Sequence, residues 1–164
     1  YFPALQAGAG VELGRFVLHD SVPANGESWT LARMRRLRRA ALPEVCAELA
    51  YCDPVERRDE AGAVVKRGHV GTIYKATNAR YRGRSSPRTL WLAPSGASFS
   101  DRTLSKVRRE EIGERYALAR LREQGSPTRR AGEAGAAYIR RLQEEGWLRP
   151  VPHPGNHVFS WEDS

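Results

Sequence analysis

The stretch Gly68-His69-Val70-Gly71-Thr72-Ile73-Tyr74-Lys75-Ala76-Thr77-Asn78-Ala79-Arg80-Tyr81-Arg82-Gly83 decides how the rest of the chain is interpreted. Glycines bracket a segment in which Ile73, Ala76 and Tyr81 can share an inward face. The pattern predicts a helix of about two to three turns that ends near Asn78 and leads into a strand.

Tyr74 is the residue of this stretch with the clearest chemical potential. Near the start of a short helix, its hydroxyl can face a cleft as a hydrogen-bond donor or proton donor. Core packing explains the same tyrosine equally simply, because tyrosine is often half buried.

Asp53 and His69 extend this group. The segment from Val45 to Tyr51 is apolar apart from Glu48 and predicts a core strand that Asp53 closes. Ligands of open α/β sheets gather beyond the carboxyl ends of strands, so we expect Asp53, His69 and Tyr74 to converge on one pocket. The structural alternatives are a turn former at Asp53 and a packing role for His69.

A carboxylate, an imidazole and a phenol together have two chemical uses. They can pass protons during acyl or alkyl transfer, or Asp53 and His69 can bind a divalent metal such as iron through oxygen and nitrogen. The spacing of Asp53, His69 and Tyr74 leaves both uses open.

The same residues carry a resemblance to known families. The segment 73–83 resembles the short helix and following strand of the GNAT acyltransferase superfamily, which read roughly Leu-Tyr-x-Lys-x-Gly-Phe before a glycine-containing strand. More specifically, Tyr51-Cys52-Asp53-Pro54 followed by residues 68–78 is similar to the phage Mom family, the Mu-type DNA adenine-modification proteins, which show His-x-Gly-x-x-Tyr-x-Ala-x-Asn. The resemblance runs from Leu13 to Leu92, with departures at Ala50, where serine is expected, and at 79–80, where an aromatic residue is expected.

This resemblance implies an α/β fold with a GNAT-like mixed sheet flanked by helices, whose first strands would precede Tyr1. It implies an enzyme that adds a small acyl-derived group, of carbamoylmethyl type, to the exocyclic amine of adenine in phage DNA and so protects it from restriction. The partner would be double-stranded DNA in the cytoplasm of a bacterial host, and the cofactor an acyl coenzyme A, iron or another divalent metal. Asp53 would orient or accept protons, His69 would act as base or metal ligand, and Tyr74 would donate to the leaving group.

Working toward the N-terminus, a predicted strand from Val11 to Asp20 leads through a turn into a helix that starts near Trp29. The helix has apolar residues on one predicted face (Leu31, Met34, Leu37, Ala41 and Leu42) and arginines on the other (Arg33, Arg35, Arg36, Arg38 and Arg39). A turn before a helix N-terminus suits phosphate, so the resemblance places the pyrophosphate of acyl coenzyme A at Asn25, Gly26 and Ser28. An ordinary N-cap at Asn25 or Ser28 is the alternative.

The charge of the chain favours a polyanionic partner. The 27 Lys and Arg residues exceed the 19 Asp and Glu residues, which gives a formal net charge of +8 and a pI of about 10.1. Tyr81 and Trp91 are candidate stacking surfaces for nucleobases, although Trp91 fits a core position better. The predicted phosphate contacts are Arg84, Arg88, Arg102, Lys106 and Arg109, and DNA affinity should then fall with added salt.

The cysteine spacing excludes a disulfide. Cys46 and Cys52 lie in one predicted strand, where their separation is roughly 20 Å at ~3.3 Å per residue. We therefore expect two free thiols. The sequence also contains no apolar run of the ~18 residues that a membrane-spanning helix needs.

Beyond residue 94 the chain becomes polar, helical and basic. The sequence therefore predicts a core over residues 1–94 and a basic helical extension over 95–164 that ends in a short strand. One helix, from about Glu111 to Gln124, should turn Ile112, Tyr116, Ala119 and Leu118 inward. Two alternatives to a DNA-modifying enzyme remain, a non-catalytic winged-helix-like protein that binds nucleic acid and a GNAT acyltransferase acting on a non-DNA amine.

Overall fold

The computed structural model describes residues 9–14, 16–19 and 21–162, and over them the chain is mixed α/β, as expected. The elements in chain order are β1 (Ala9–Leu13), α1 (Gly26–Ala41), β2 (Val45–Cys52), β3 (Arg57–Arg58), β4 (Val64–Lys66), α2 (Thr72–Ala76), β5 (Arg80–Arg84), β6 (Arg88–Leu92), β7 (Ser98–Ser100), α3 (Asp101–Arg108), α4 (Glu114–Glu123), α5 (Gly135–Glu144), β8 (Arg149–His153) and β9 (His157–Glu162).

The chain divides into two compact units. Unit 1 is formed by the described parts of residues 1–54, 69–86 and 155–164, and unit 2 by residues 55–68 and 87–154. This division differs from the expected boundary after residue 94, because β9 returns to unit 1 and β6 belongs to unit 2.

Unit 1 is built on a mixed four-stranded sheet in the order β1-β2-β9-β5. β1 runs parallel to β2, whereas β9 runs antiparallel to both β2 and β5. The register sets Cys52 opposite His157 and Ala50 opposite Phe159. The strand predicted around Val45 to Tyr51 is confirmed and lies in the sheet interior, between β1 and β9.

The first described strand lies earlier than the sequence predicts. β1 ends at Leu13, and the described residues 16–19 form no strand, with Val17 70% exposed. Gly14 interrupts the expected strand, and glycine weakens strand interiors. Arg15 and Asp20, which also belonged to the predicted strand, lie outside the described residues.

Helix α1 turns two arginines toward the sheet, so the expectation that all its arginines cover the outer surface is wrong. The Arg35 Nε donates to Glu48 Oε2 at 3.0 Å, and the Arg38 Nε donates to Glu48 Oε1 at 2.7 Å. Leu31 is buried, but Leu37 is 57% exposed. The reason lies in β2, where Glu48 is only 8% exposed and a buried carboxylate requires charged partners.

Unit 2 contains the antiparallel sheet β7-β6-β8, the hairpin β3-β4, and three helices. The hairpin turns at Gly62, whose φ is +85°. Ser100 caps α3 by accepting a hydrogen bond of 3.2 Å from the Thr103 N–H. Trp91 packs against the core of the unit, which confirms the core interpretation.

The inward face of α4 differs from the prediction. Ala117 and Leu121 are buried, whereas Tyr116 is 66% exposed and Ile112 is 97% exposed. The helix begins only at Glu114, so Ile112 precedes it and does not follow its periodicity. One residue turns a helix by about 100°, so the shift from Tyr116 to Ala117 moves the buried face by that angle.

Neither Cys46, which is exposed, nor Cys52, which is buried, forms a disulfide bond. None of the helices in the described part of the chain has the length and hydropathy that crossing a bilayer requires.

Candidate active site

Asp53 and His69 meet at the carboxyl end of β2. Asp53 follows the last residue of this strand, and its carbonyl oxygen accepts a hydrogen bond of 2.8 Å from the backbone N–H of His69. His69 is exposed and Asp53 is partly buried. This hydrogen bond fastens the loop that leads into α2 to the strand end, so the two residues lie at the same edge of the sheet.

Helix α2 is shorter than the predicted two to three turns, with five residues. Asn78 follows it with φ +62°, which confirms the predicted end. The buried residue of α2 is Tyr74. Of the predicted inward face, Ile73 packs against the core as expected, whereas Ala76 is exposed and Tyr81 is 49% exposed, so the prediction is wrong for these two residues. Tyr81 lies on β5, at the edge of the sheet, where only one side of the strand is paired.

Gly71 sets the position at which α2 begins. Its φ of +75° is a conformation that favours glycine, and a Cβ added there would lie 2.3 Å from a ring carbon of Phe159. The helix can therefore approach β9 closely only with glycine at its N-cap. This approach brings Tyr74 onto the sheet.

Tyr74 lies within a group of aromatic rings. Its ring centroid is 5.5 Å from those of His69, Phe159 and Trp161, and the contacts with His69 and Trp161 are edge-on. The tyrosine is 8% exposed. The sequence left open whether Tyr74 is a core residue or a donor in a cleft. Its ring packs in the core of unit 1 and also contacts the imidazole of His69, so both interpretations remain compatible with its position.

The hydroxyl of Tyr74 is held in its protonated form. Burial raises the pKa of the Tyr74 phenol, and the nearby Cys52 and Glu27 raise it further. Within the described residues the hydroxyl has no hydrogen-bond partner, and no described side-chain oxygen or nitrogen is both fully buried and unpartnered. The oxygen therefore reaches solvent from a buried ring, which suits a proton donor to a bound molecule.

Asp53 and His69 do not complete a metal site. In the described part of the chain, no three His, Cys, Asp or Glu side chains are grouped so that they could hold a metal ion. Protein sites for iron or zinc commonly use three or more such ligands. A metal ion at His69 and Asp53 stays a prediction.

The predicted cofactor turn has a defined geometry. Asn25 precedes α1 with φ +77° and makes no side-chain cap, while the Ser28 hydroxyl donates to the Asn25 carbonyl at 3.0 Å. The Gly26 N–H donates to the Pro23 carbonyl at 2.9 Å. The side-chain N-cap alternative is therefore wrong for Asn25, although Asn25 occupies the N-cap position.

Two backbone donors remain at this turn for an anionic group. The N–H groups of Glu27 and Ser28 make no hydrogen bond within the described residues. A cavity of about 290 Å³ lies beside the turn and is lined by His19, Asn25 and Glu27, among others. The Glu27 carboxylate opposes a phosphate, so the fit to a pyrophosphate is partial. The charge of Glu27 also contributes to raising the pKa of the Tyr74 phenol.

The predicted DNA contacts are divided between the units. Arg84 belongs to unit 1, whereas Arg88, Arg102, Lys106 and Arg109 belong to unit 2. Arg102 and Arg109 are exposed on α3 and at its end. Lys106 lies on the same helix with its amine close to Gly113, at the start of α4.

His157 is a neighbour of the site that the sequence interpretation did not select, and it lies beside Tyr81, the predicted stacking surface. His157 lies opposite Cys52, next to Asp53, and its Nδ1 is 3.0 Å from the Tyr81 hydroxyl. A sequence signal was present, because His157, Phe159 and Trp161 alternate along the last strand and so share one face. The pairing of that face with β2 required the fold.

The comparisons with known proteins identify one family. The model described as the Mom protein family matches residues 3–132. No curated protein matches the chain. The matched segment includes Asp53, His69, Tyr74 and Tyr81, whereas His157 lies beyond it.

Proposed function

The chain belongs to the Mom protein family of phage DNA-modification proteins, and we propose that it is an enzyme that adds a small acyl-derived group to the exocyclic amine of adenine. The group we propose is of the carbamoylmethyl type, and the modified phage DNA would resist restriction enzymes. Within the matched segment, the observation that carries this proposal is the contact between Tyr74 and His69 beside Asp53.

The chemistry requires proton transfers in two places. As the adenine nitrogen forms its bond to the transferred carbon, it loses a proton, and the leaving group gains one. We assign proton acceptance or orientation to Asp53, the base to His69, and donation to the leaving group to Tyr74. The raised pKa of the Tyr74 phenol supports this last role, because the donor must carry its proton at neutral pH.

The target amine must become accessible to these groups. In duplex DNA the exocyclic amine of adenine lies in the major groove, and enzymes that act on bases commonly swing them out of the stack. Tyr74 packs against the rings of Phe159 and Trp161 and is only 8% exposed, and its hydroxyl oxygen makes no hydrogen bond within the described residues. An extruded adenine that approaches the edge of the sheet would bring its amine toward this oxygen.

An acyl coenzyme A is the donor that we propose for a group joined through its carbonyl carbon, with the coenzyme A thiol as the leaving group. A carbamoylmethyl group is joined through its methylene carbon and would need a donor with a leaving group on that carbon. Asn25, Gly26 and Ser28 would hold the pyrophosphate of the coenzyme A at the first turn of α1, where the backbone N–H groups of Ser28 and the neighbouring Glu27 remain as donors. The support for this placement is the cavity beside the turn and the electrostatic influence of Glu27 on Tyr74.

Double-stranded DNA is the proposed partner, in the cytoplasm of the bacterial host where phage DNA is found. The predicted phosphate contacts in the two units are long cationic side chains on a chain of net charge +8. Such contacts position the duplex without reading its sequence.

The direct test is mass spectrometry of nucleosides from DNA of cells that express the protein. We expect a deoxyadenosine with an added mass, absent from cells that carry the empty vector. A mass increase of another size would contradict the carbamoylmethyl type alone. Unmodified adenine, with a free amine of another molecule modified instead, would favour an acyltransferase with a non-DNA substrate.

A further inference from the structure

Tyr81 presents a fixed aromatic surface beside the candidate active site. Its hydroxyl lies 3.0 Å from Nδ1 of His157, and its ring centroid lies 5.5 Å from that of His157 and 5.4 Å from that of Phe159. The residue is nevertheless 49% exposed. One side of the ring is therefore held by its neighbours while a large part remains available to a ligand.

The loop just before β9 also fixes the position of His157. The Ser85 N–H donates to the Asn156 carbonyl at 2.9 Å, and the Asn156 N–H donates to the Ser85 hydroxyl at 2.9 Å. At Gly155, with φ +91°, an added Cβ would lie 1.9 Å from the Ser85 carbonyl oxygen. This close approach ties the start of β9 to the end of β5, so Tyr81 and His157 meet in one arrangement.

Two cations accompany the aromatic pair. Arg84 lies opposite His157 in the pairing of β5 with β9. Burial lowers the pKa of the His157 imidazole, and the charges of Arg84 and Lys75 lower it further. Within the described residues, neither Arg84 nor Lys75 forms an ion pair with a carboxylate. Their charges are thus available to an anion from outside the chain.

An exposed aromatic ring next to unpaired cations matches the chemistry of a nucleotide, which combines a flat base with a phosphate. We propose that Tyr81, His157, Lys75 and Arg84 form a subsite for one unpaired nucleotide. The base stacks on Tyr81, whose orientation His157 maintains, and Lys75 and Arg84 bind the adjacent phosphate.

The subsite lies next to the place where the proposed chemistry occurs. The ring of Phe159 contacts both Tyr81 and Tyr74, with centroid distances of 5.4 and 5.5 Å. The nucleotide held at Tyr81 is therefore a neighbour of the target adenine. This inference rests on the proposed function for the identity of DNA as the strand, and it adds that the strand is held unpaired.

The test uses the full chain and a single-stranded oligonucleotide that carries one 2-aminopurine, a base whose fluorescence is quenched by stacking. Tyr81→Leu removes the aromatic ring, and Tyr81→Phe keeps it. Tyr116→Leu is the matched control, because Tyr116 is also a solvent-exposed tyrosine but lies in unit 2. Circular dichroism confirms that each variant is folded.

We expect the parent, Tyr81→Phe and Tyr116→Leu to bind within a few-fold of one another and to quench 2-aminopurine. Tyr81→Leu should lose the quenching and bind roughly 5- to 100-fold more weakly, the effect of one base stack. Replacing Lys75 or Arg84 by glutamine should each flatten the logarithmic salt dependence by about 0.7.

Parent-like binding and quenching by Tyr81→Leu would overturn the subsite. An equal loss in Tyr81→Phe and Tyr81→Leu would also overturn it, because the hydroxyl rather than the ring would then be responsible. A parent that quenches 2-aminopurine through Tyr81 but modifies no adenine would contradict the proposed function and leave the subsite standing. If the parent modifies adenine while Tyr81→Leu binds normally, the subsite is contradicted and the proposed function stands.

Discussion

Gly71 shows how a single residue determines where the candidate catalytic phenol lies. Its backbone conformation and its contact with Phe159 both exclude a side chain. The glycine in the sequence pattern His-x-Gly-x-x-Tyr therefore has a physical explanation. It allows α2 to approach β9, and Tyr74 follows three residues later on the same helix.

Gly71→Ala should destabilise the protein more than Gly83→Ala. Both glycines have positive φ values, +75° and +94°, so alanine should cost about 1–2 kcal/mol at either position. An added Cβ at Gly83 meets no atom within 4 Å, whereas at Gly71 it meets Phe159. Overpacking of this kind typically adds about 1–3 kcal/mol.

Urea denaturation of the two variants measures this difference directly. The two alanine variants share the backbone strain, and both positions lie in unit 1, so the difference between their free energies of unfolding isolates the contact with Phe159. Equal destabilisation would show that Phe159 moves aside without cost.

A site residue could be placed from the sequence when its neighbours in space are also close to it in the chain, and could not be placed when they are distant in the chain. The five-residue spacing of His69 and Tyr74 was sufficient to predict that they lie together, and their rings are in contact. The exposure of Tyr81 could not be predicted, because it depends on β5 being an edge strand. His157 required the pairing of two strands that are about a hundred residues apart in sequence.

Among the elements, α1 shows why helical periodicity alone gave the wrong face. Counting apolar residues treats every arginine as outward, but Arg35 and Arg38 neutralise the buried Glu48. The Arg35 guanidinium also lies 5.2 Å from the ring centroid of Trp161. The exception was visible in the sequence only as an acidic residue inside an apolar strand.

The residues just before α5 lead to a prediction of how the stability of the fold depends on pH. The Arg141 guanidinium holds both carboxylate oxygens of Glu133 at 2.8 Å, and the Arg130 N–H donates to the same carboxylate at 2.9 Å. These hydrogen bonds, that from the Arg141 side chain first, lower the pKa of Glu133 from 4.5 to about 2. Glu133 therefore stabilises the folded state fully above pH 4.5, and this contribution is lost as the pH falls toward about 2.

Thermal unfolding at successive pH values tests this assignment. Glu133→Gln should lower the Tm at neutral pH and show a shallower loss of Tm between pH 4.5 and about 2 than the parent. Glu144→Gln is the matched control, since Glu144 is exposed on α5. Parallel acid profiles for Glu133→Gln and the parent would contradict the assignment.

For the molecule as a whole, the sequence predicted the class of fold and most of the elements. Local patterns suffice for this, because strand and helix periodicity, caps and turns act over a few residues. The position of β9 between β2 and β5 could not be predicted in the same way. It depends on contacts between distant segments, and it is what brings Phe159, Trp161 and His157 to Tyr74 and Tyr81.

The central claim is that the Tyr74 phenol takes part in modifying adenine. The most direct measurement compares the parent with Tyr74→Phe, in which the ring and its packing remain and only the donor oxygen is lost. We expect modified deoxyadenosine, quantified by mass spectrometry, to fall by about 10²–10⁴-fold in initial rate, the usual contribution of a positioned acid or base. Duplex affinity should stay within a few-fold of the parent. Undiminished modification by Tyr74→Phe would show that Tyr74 serves packing alone and would contradict the account.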